Sequence, residues 1–130
     1  MDCLTHDFLA LDKHYHVWLA KNKKFVVVED VRLPPGYDDE FTRVLIFIPP
    51  DYPVSPLGIG DSRVYVPPNL KFRGRSISDI HPRIVPPLPI TDFGPWAWWC
   101  YEHVCWDPMR DDLISFMEMV RADLTNPPVL

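Results

Sequence analysis

The sequence predicts a single α+β domain, in which an antiparallel sheet of three to four strands packs against a short N-terminal helix and a C-terminal helix. Three observations predict this fold class: β-branched and alternating apolar runs in the first half, proline clusters between these runs, and one apolar stripe of helical spacing near the end. With 130 residues, 47% of them hydrophobic, the chain can bury one core, and no linker or repeat divides it. We therefore expect one domain over residues 1–130.

Four stretches carry the strand signal. The alternation in Tyr15–Leu19 is compatible with a strand, and Phe25–Arg32 is rich in valine, which crowds a helix but suits a pleated sheet. The second half of Phe41–Ile48 is apolar without a break, which fits a strand covered on both faces. Arg63–Val66 is a short strand that two prolines stop.

Two helices are predicted, one at each end of the chain. Thr5–Asp12 is a short amphipathic stretch with a threonine as candidate N-cap. Near the C-terminus Asp107 is a candidate N-cap, Pro108 fits the first helical position, and Asn126-Pro127-Pro128 ends the run. The residues expected on the apolar face of this helix are Met109, Leu113, Phe116, Met117, Val120 and Leu124.

Between these elements, sixteen prolines, many of them in short clusters, mark turns and stiff loops. Leu33–Glu40 reads as a turn, since proline fixes φ and Gly36 can take a positive φ. From Asn69 to Gly94 no periodicity survives, which predicts a long irregular segment. Such a loop inside a compact domain usually has a function.

The overall charge and the cysteine count exclude several classes of protein. The formal net charge is -5 and the longest basic run is Lys21–Lys24, so we expect no nucleic-acid partner. The N-terminus lacks the basic flank and apolar run of a signal peptide, and no apolar stretch approaches ~18 residues. We therefore expect no membrane partner and a cytoplasmic location, where the three cysteines would be thiols.

The stretch Pro95–Pro108, PWAWWCYEHVCWDP, stands out and is called here the tryptophan-rich segment. It holds four of the five tryptophans and two of the three cysteines. Because apolar bulk and reactive groups are concentrated there, immediately before the predicted helix, we expect the functional site in this segment.

The order of several motifs resembles that of the ubiquitin-conjugating (UBC) superfamily. In that family a Tyr-Pro-x-x-x-Pro turn follows the strands, a His-Pro pair lies in the long loop, and a Trp-x-Pro follows the active cysteine. The matching residues, in the same order, are Tyr52-Pro53 with Pro56, His81-Pro82, Cys100 and Trp106-Asp107-Pro108. The front half, with its Leu33-Pro34-Pro35-Gly36-Tyr37, is similar to the compact bacterial branch, the prokaryotic UBC-like family E. The resemblance spans about Phe25–Leu124.

This resemblance implies a carrier that works through a cysteine thioester. Cys100 would take the C-terminus of a ubiquitin-like modifier from an activating enzyme and pass it to a lysine of a target protein. The thiolate is the reactive form, and a nearby cation or helix N-terminus favours it. His103 and the expected helix start both follow Cys100 closely. The partners would be the activating enzyme, the modifier and the target, and no cofactor or metal would be bound.

The sequence departs from the family where the oxyanion of acyl transfer is stabilised. The family has an asparagine after the His-Pro pair, and Arg83 stands there instead. We expect His103 to stabilise the oxyanion in the first place, and His81 or backbone amides otherwise. Glu102 and Asp107 would orient an incoming lysine ammonium or assist its deprotonation.

Other interpretations of the same residues remain open. One is a catalytically inactive UBC-like module that binds a modifier or partner on an aromatic face, although at least two of the four tryptophans in the segment are expected to be buried under the helix. Another is a zinc or redox site; its residues would be Cys100, His103, Cys105 and His81, in a spacing unlike the usual zinc patterns. Cys105 lies too close to Trp106 to match the family and is expected to be a packing residue or a regulatory thiol.

Overall fold

A computed structural model describes residues 2–59, 62–87, 93–100 and 105–130 of the chain. No helix in this part of the protein is long and apolar enough to cross a membrane. The elements, in chain order, are α1 (Cys3–Leu11), β1 (His16–Leu19), β2 (Phe25–Arg32), β3 (Phe41–Phe47), β4 (Val64–Val66), β5 (Lys71–Phe72), β6 (Arg75–Ser76), β7 (Ile80–His81), β8 (Ala97–Trp99) and α2 (Leu113–Asp123).

The main sheet is antiparallel and has six strands, in the order β1-β2-β3-β4-β8-β7, while β5 and β6 pair separately. The α+β class is confirmed, but the sheet is larger than the predicted three to four strands. The extra strands come from the tryptophan-rich segment and from Asn69–Gly94, which was expected to be irregular and contains β5, β6 and β7. These three strands have two residues each, which is too short for an alternation to be visible in the sequence.

One face of the sheet forms the main core with the two helices. Val26, Ile46, Val64 and Trp99 lie side by side across four neighbouring strands. They are buried together with apolar residues of α1 and α2, so this face supports the end of β8, where the tryptophan-rich segment continues.

The opposite face carries a second, smaller core. Val27, Leu45 and Tyr65 form a row across β2, β3 and β4, and Trp96 packs against them. Both faces of β3 are therefore covered, as its unbroken apolar run predicts. Trp96 and Trp99 are both buried, but only Trp99 belongs to the helix-side core, so the expectation of two tryptophans under the helix is only half fulfilled.

Helix α2 begins five residues later than the sequence suggested. Asp112 is its N-cap and forms a capping box with Ser115: each side chain bonds the other residue's backbone N–H, at 2.9 Å. The predicted cap at Asp107 is wrong, and Met109, expected on the apolar face, is 90% exposed in a turn. The other five residues predicted for that face are buried.

Helix α1, in contrast, begins earlier than predicted, because its N-cap is Asp2 and not Thr5. The Asp2 carboxylate accepts a hydrogen bond from the Thr5 N–H and another, of 2.6 Å, from the Lys23 ammonium. Lys23 foremost, and then the helix N–H, hold the pKa of Asp2 well below its ordinary value. Lys23 lies between β1 and β2, so the Lys21–Lys24 run forms the tip of a hairpin.

After α2, residues 126–130 form a segment, called here the C-terminal segment, that returns to the sheet side of the molecule. Val129 forms an antiparallel bridge with Ile77. The Ser78 N–H donates to the Pro128 carbonyl and the Leu130 N–H donates to the Ser76 carbonyl, both at 2.9 Å. The C-terminal segment therefore joins the end of α2 to the chain that leads into β7.

Candidate functional site

Cys100 follows directly after β8, which lies between β4 and the edge strand β7 of the main sheet. Its backbone N–H donates a 2.8 Å hydrogen bond to the carbonyl of Asp79, the residue before β7. Its neighbour Trp99 is 1% exposed, whereas Cys100 itself is partly buried. The sheet thus fixes the backbone of Cys100 and leaves its side chain within reach of solvent.

The side chain of Cys100 lines a small surface cavity of about 240 Å³, called here the Cys100 cavity. The wall is made by the loop before β7, by the end of α2 and by the C-terminal segment. Its described lining residues are Asp79, Cys100, Ala122, Asp123, Thr125, Asn126 and Pro128. A thiol, an amide and two carboxylates therefore share one concave site.

The negative end of α2 lies at this cavity. Ala122 and Asp123 belong to its last turn, where the helix dipole places partial negative charge. Asp79 adds a second carboxylate beside that of Asp123. These groups attract a cation such as a lysine ammonium and do not stabilise a thiolate. The expectation that Cys100 lies near the start of the helix is therefore wrong. The Cys100 cavity lies at the C-terminal end of α2, and the helix begins at its other end, after Asp112.

One of the two carboxylates is held in place by a buried tryptophan. The indole N–H of Trp99 donates a hydrogen bond to a carboxylate oxygen of Asp123. Since Trp99 is packed in the helix-side core, it fixes Asp123 at the rim of the Cys100 cavity. The residue directly before the thiol thus positions a charge beside it.

Asn126 provides the amide of the cavity. It lies two residues after the C-cap Leu124 and has a φ of 51°, in the left-handed region that asparagine tolerates better than most residues. The sequence indicated only that Asn126-Pro127-Pro128 ends the helix. Asparagine is common just beyond the end of a helix, and the sequence showed this much. The sequence did not show that the chain then turns back towards Cys100.

The other predicted site residues are not gathered around Cys100. His103 and Glu102 lie outside the described residues. Asp107 lies in an exposed turn, where its carbonyl accepts the N–H groups of Arg110 and Asp111, and it is not one of the described residues that line the cavity.

His81 lies on the opposite face of the sheet and packs against an aromatic ring. Its imidazole stacks on Trp98, with ring centroids 4.9 Å apart, and the Arg63 guanidinium lies 4.6 Å from the centroid of the same indole. His81 therefore supports a stacked cluster and does not reach the described part of the Cys100 cavity.

The motifs at Tyr52-Pro53 and Trp106 meet in space. The indole N–H of Trp106 donates to the Pro53 carbonyl at 2.8 Å, and its ring packs on Phe116 of α2. The Tyr52 hydroxyl donates to Asp7 of α1 at 2.7 Å. Burial, and then the bond to Asp7, raise the pKa of Tyr52 well above its ordinary value. The bond from Tyr52 to Asp7 connects α1 to the turn after β3. The contacts of Trp106 with Pro53 and Phe116 connect α2 to the same turn.

Cys105 differs clearly from Cys100. It is exposed, so the expectation that it packs in the core is wrong, and its other interpretation as a regulatory thiol stays a prediction. No disulfide joins the two cysteines. Within the described ranges, which do not include His103, no three histidine, cysteine or acidic side chains are grouped so as to hold a metal ion.

Comparisons of the chain with protein-family models, with curated proteins and with solved structures found no significant match in any of the three.

Proposed function

We propose that the protein is a ubiquitin-conjugating-like carrier, which holds the C-terminus of a ubiquitin-like modifier as a thioester on Cys100 and transfers it to a lysine amine. The observation that carries this proposal is the composition of the Cys100 cavity. A partly buried thiol on a fixed backbone shares the cavity with Asn126, Asp79 and Asp123.

The first step is an exchange between thioesters. The sulfur of Cys100 attacks the acyl carbon of the modifier on the activating enzyme, and a new C–S bond forms. The C–S bond to the activating enzyme's cysteine breaks, and the proton of the Cys100 thiol ends on that departing sulfur. Asn126 lines the same cavity as Cys100, and in this proposal its side-chain amide donates to the tetrahedral oxyanion.

The second step is aminolysis of the Cys100 thioester. The carboxylates of Asp79 and Asp123 attract the lysine ammonium and can accept its proton, so that the neutral amine attacks. The C–N bond forms, the C–S bond breaks, and the Cys100 sulfur leaves and is protonated. The negative end of α2, which does not favour a resting thiolate, favours the arrival of this cationic substrate.

The experiment combines the protein with a ubiquitin-like modifier, the activating enzyme that adenylates this modifier, and ATP, and separates the products on non-reducing gels. We expect an adduct that thiols remove, that is absent in Cys100→Ser and that persists in Cys105→Ser. An adduct that persists in Cys100→Ser would overturn the assignment. The exposed Cys105 is a stringent control, because it is the more accessible of the two thiols.

A second candidate function is a UBC-like module that binds a modifier or partner without chemistry. The specific observation in its favour is the negative charge around Cys100, which does not activate the thiol. This candidate predicts equal affinity of the wild type and Cys100→Ser for the modifier, measured by titration calorimetry, together with no adduct in the gel assay.

A further inference from the structure

A second cavity lies beside the Cys100 cavity and shares a wall with it. This larger cavity, called here the arginine cavity, has a volume of about 500 Å³. Its lining residues are Arg32, Leu33, Pro34, Pro35, Glu118, Arg121, Ala122 and Thr125. Ala122 and Thr125 line both cavities. The two cavities therefore adjoin at the end of α2 and are together called here the groove, with Cys100 at one end and the turn after β2 at the other.

The two ends of this groove carry opposite charge. The Cys100 end has two carboxylates and no lysine or arginine among its described lining residues. The other end has two arginines and one acidic residue, Glu118. Arg32 is partly occupied, since it lies 3.5 Å from Glu40 and over the ring of Phe41. No described carboxylate forms an ion pair with Arg121, which is therefore the main cation that the groove offers.

The helix sets the distance between the two ends. Glu118, Arg121 and Ala122 follow each other at helical spacing along one side of α2, and Thr125 lies two residues beyond the last helical residue, Asp123. Because the C-cap Leu124 still has right-handed helical φ and ψ, the backbone from Arg121 to Thr125 advances by about 6 Å. An extended peptide advances by about 3.3 Å per residue, and lysine and glutamate side chains add reach at both ends. A peptide that spans the groove would thus place its two charges about two to four residues apart.

We propose that this groove binds the acceptor segment of the target, with a lysine at Cys100 and an aspartate or glutamate two to four residues away at Arg121. The proposal depends on the thioester function proposed above. The charges favour the acceptor over the modifier's tail, because the acyl end of the tail is neutral in the thioester and gains nothing from Asp79 and Asp123, whereas an acceptor lysine is cationic on arrival.

The test uses a chemical route to the thioester, so that it needs no activating enzyme. The protein in a Cys3→Ser, Cys105→Ser background is mixed with the 2-mercaptoethanesulfonate thioester of acetyl-Gly-Gly. Cys100 displaces the small thiol, the acyl group moves to its sulfur, and intact-mass spectrometry measures the loading. The excess reagent is then removed, and three lysine peptides are added separately. They are identical except that the position three residues after the lysine is glutamate, glutamine or lysine.

We expect the glutamate peptide to discharge the thioester about three- to fivefold faster than the glutamine peptide at low salt, and the lysine peptide to be the slowest. Added salt should reduce the difference, since exposed charges are screened. The substitution Arg121→Glu should reverse the order of the glutamate and lysine peptides. Arg110→Glu is the matched control, because Arg110 is an exposed arginine whose only ion pair in the described residues, at 3.8 Å, is with Asp107 outside the groove, and it should leave the order unchanged.

The outcomes separate this inference from the proposed function. Failure of Cys100 to load, or to discharge to any lysine peptide, overturns the thioester function. Loading followed by discharge at equal rates for all three peptides overturns the groove proposal alone. If instead Arg121→Glu changes only the loading rate of thioesters whose tail carries a glutamate, the groove binds the modifier's tail, and the acceptor proposal is wrong.

Discussion

The start of helix α2 gives a sharp test of the structure, because the sequence suggested Asp107 as its N-cap and the structure has Asp112 there. In Asp112→Ala the N–H of Ser115 loses its 2.9 Å acceptor. Replacement of an N-cap aspartate by alanine costs about 1 to 2 kcal/mol of stability. In Asp107→Ala only an exposed turn is affected, through the 3.0 Å bond from the Met109 N–H to the carboxylate. We expect that loss to be about 0.5 kcal/mol or less.

The capping box adds a second, independent measurement. Ser115→Ala removes the reciprocal bond, in which the Asp112 N–H donates to the serine hydroxyl at 2.9 Å. Since the two side chains hold one another in place, the double variant should lose less stability than the sum of the single variants. The coupling free energy should be about 0.5 to 1 kcal/mol. The pair Asp107→Ala and Ser115→Ala should be additive.

Urea unfolding followed by far-ultraviolet circular dichroism measures these differences as shifts of the midpoint at an unchanged slope. A larger loss in Asp107→Ala than in Asp112→Ala would refute the reasoning. The helix would then begin at Asp107, and Asp112 and Ser115 would not define its start.

Three further predictions concern the site and its supports. Asn126→Ala should slow the loading and discharge of Cys100 by about 100-fold, measured by intact-mass kinetics, if its amide donates to the oxyanion; unchanged rates would exclude that role. The raised pKa of Tyr52 means that its phenol holds its proton more tightly in the folded state, so stability should fall as the pH rises above about 10. Tyr52→Phe should weaken this alkaline loss in urea titrations, and an identical pH dependence would contradict the cause given. Gly36→Ala should cost about 2 to 3 kcal/mol, because φ is +111° and the new Cβ would lie 2.3 Å from the Phe72 ring; a neutral effect on thermal unfolding would show that this ring moves freely.

The strands that the sequence predicted well are those whose own residues carry a strand pattern. Phe25–Arg32 is confirmed residue for residue, because its valines alternate over both buried faces of a central strand. β7 and β8 carry no such local signal. They have two and three residues and form through pairing with distant parts of the chain: β7 pairs with β8, and β8 also pairs with β4. The start of α2 failed for a different reason: Asp107 and Asp112 both satisfy the local rule, and the hydroxyl of Ser115 decides between them.

The residues of the candidate site likewise fall into those that the sequence indicated and those that it did not. Cys100 was identified from its neighbours and its order among the motifs, and the structure places it in a cavity. Asp79, Asp123 and Asn126 lie more than twenty residues from it in the sequence, and no local pattern indicates that they meet. At least two tryptophans of the segment were expected to be buried, without indication of which ones, and the bond of Trp99 to Asp123 depends on how α2 is docked.

The C-terminal segment makes Asn126 a connection between α2 and the chain that leads into β7. On one side the residue is continuous with α2, whose last turn also supplies Asp123. On the other side, backbone hydrogen bonds of Pro128 and Leu130 hold the segment to residues 76–78. Neither part can shift without displacing the amide relative to the thiol. A substitution at Ser78, which is distant from Cys100 in the sequence, can therefore alter the geometry at the sulfur. Residues 126–130 thus contribute to the structure of the site.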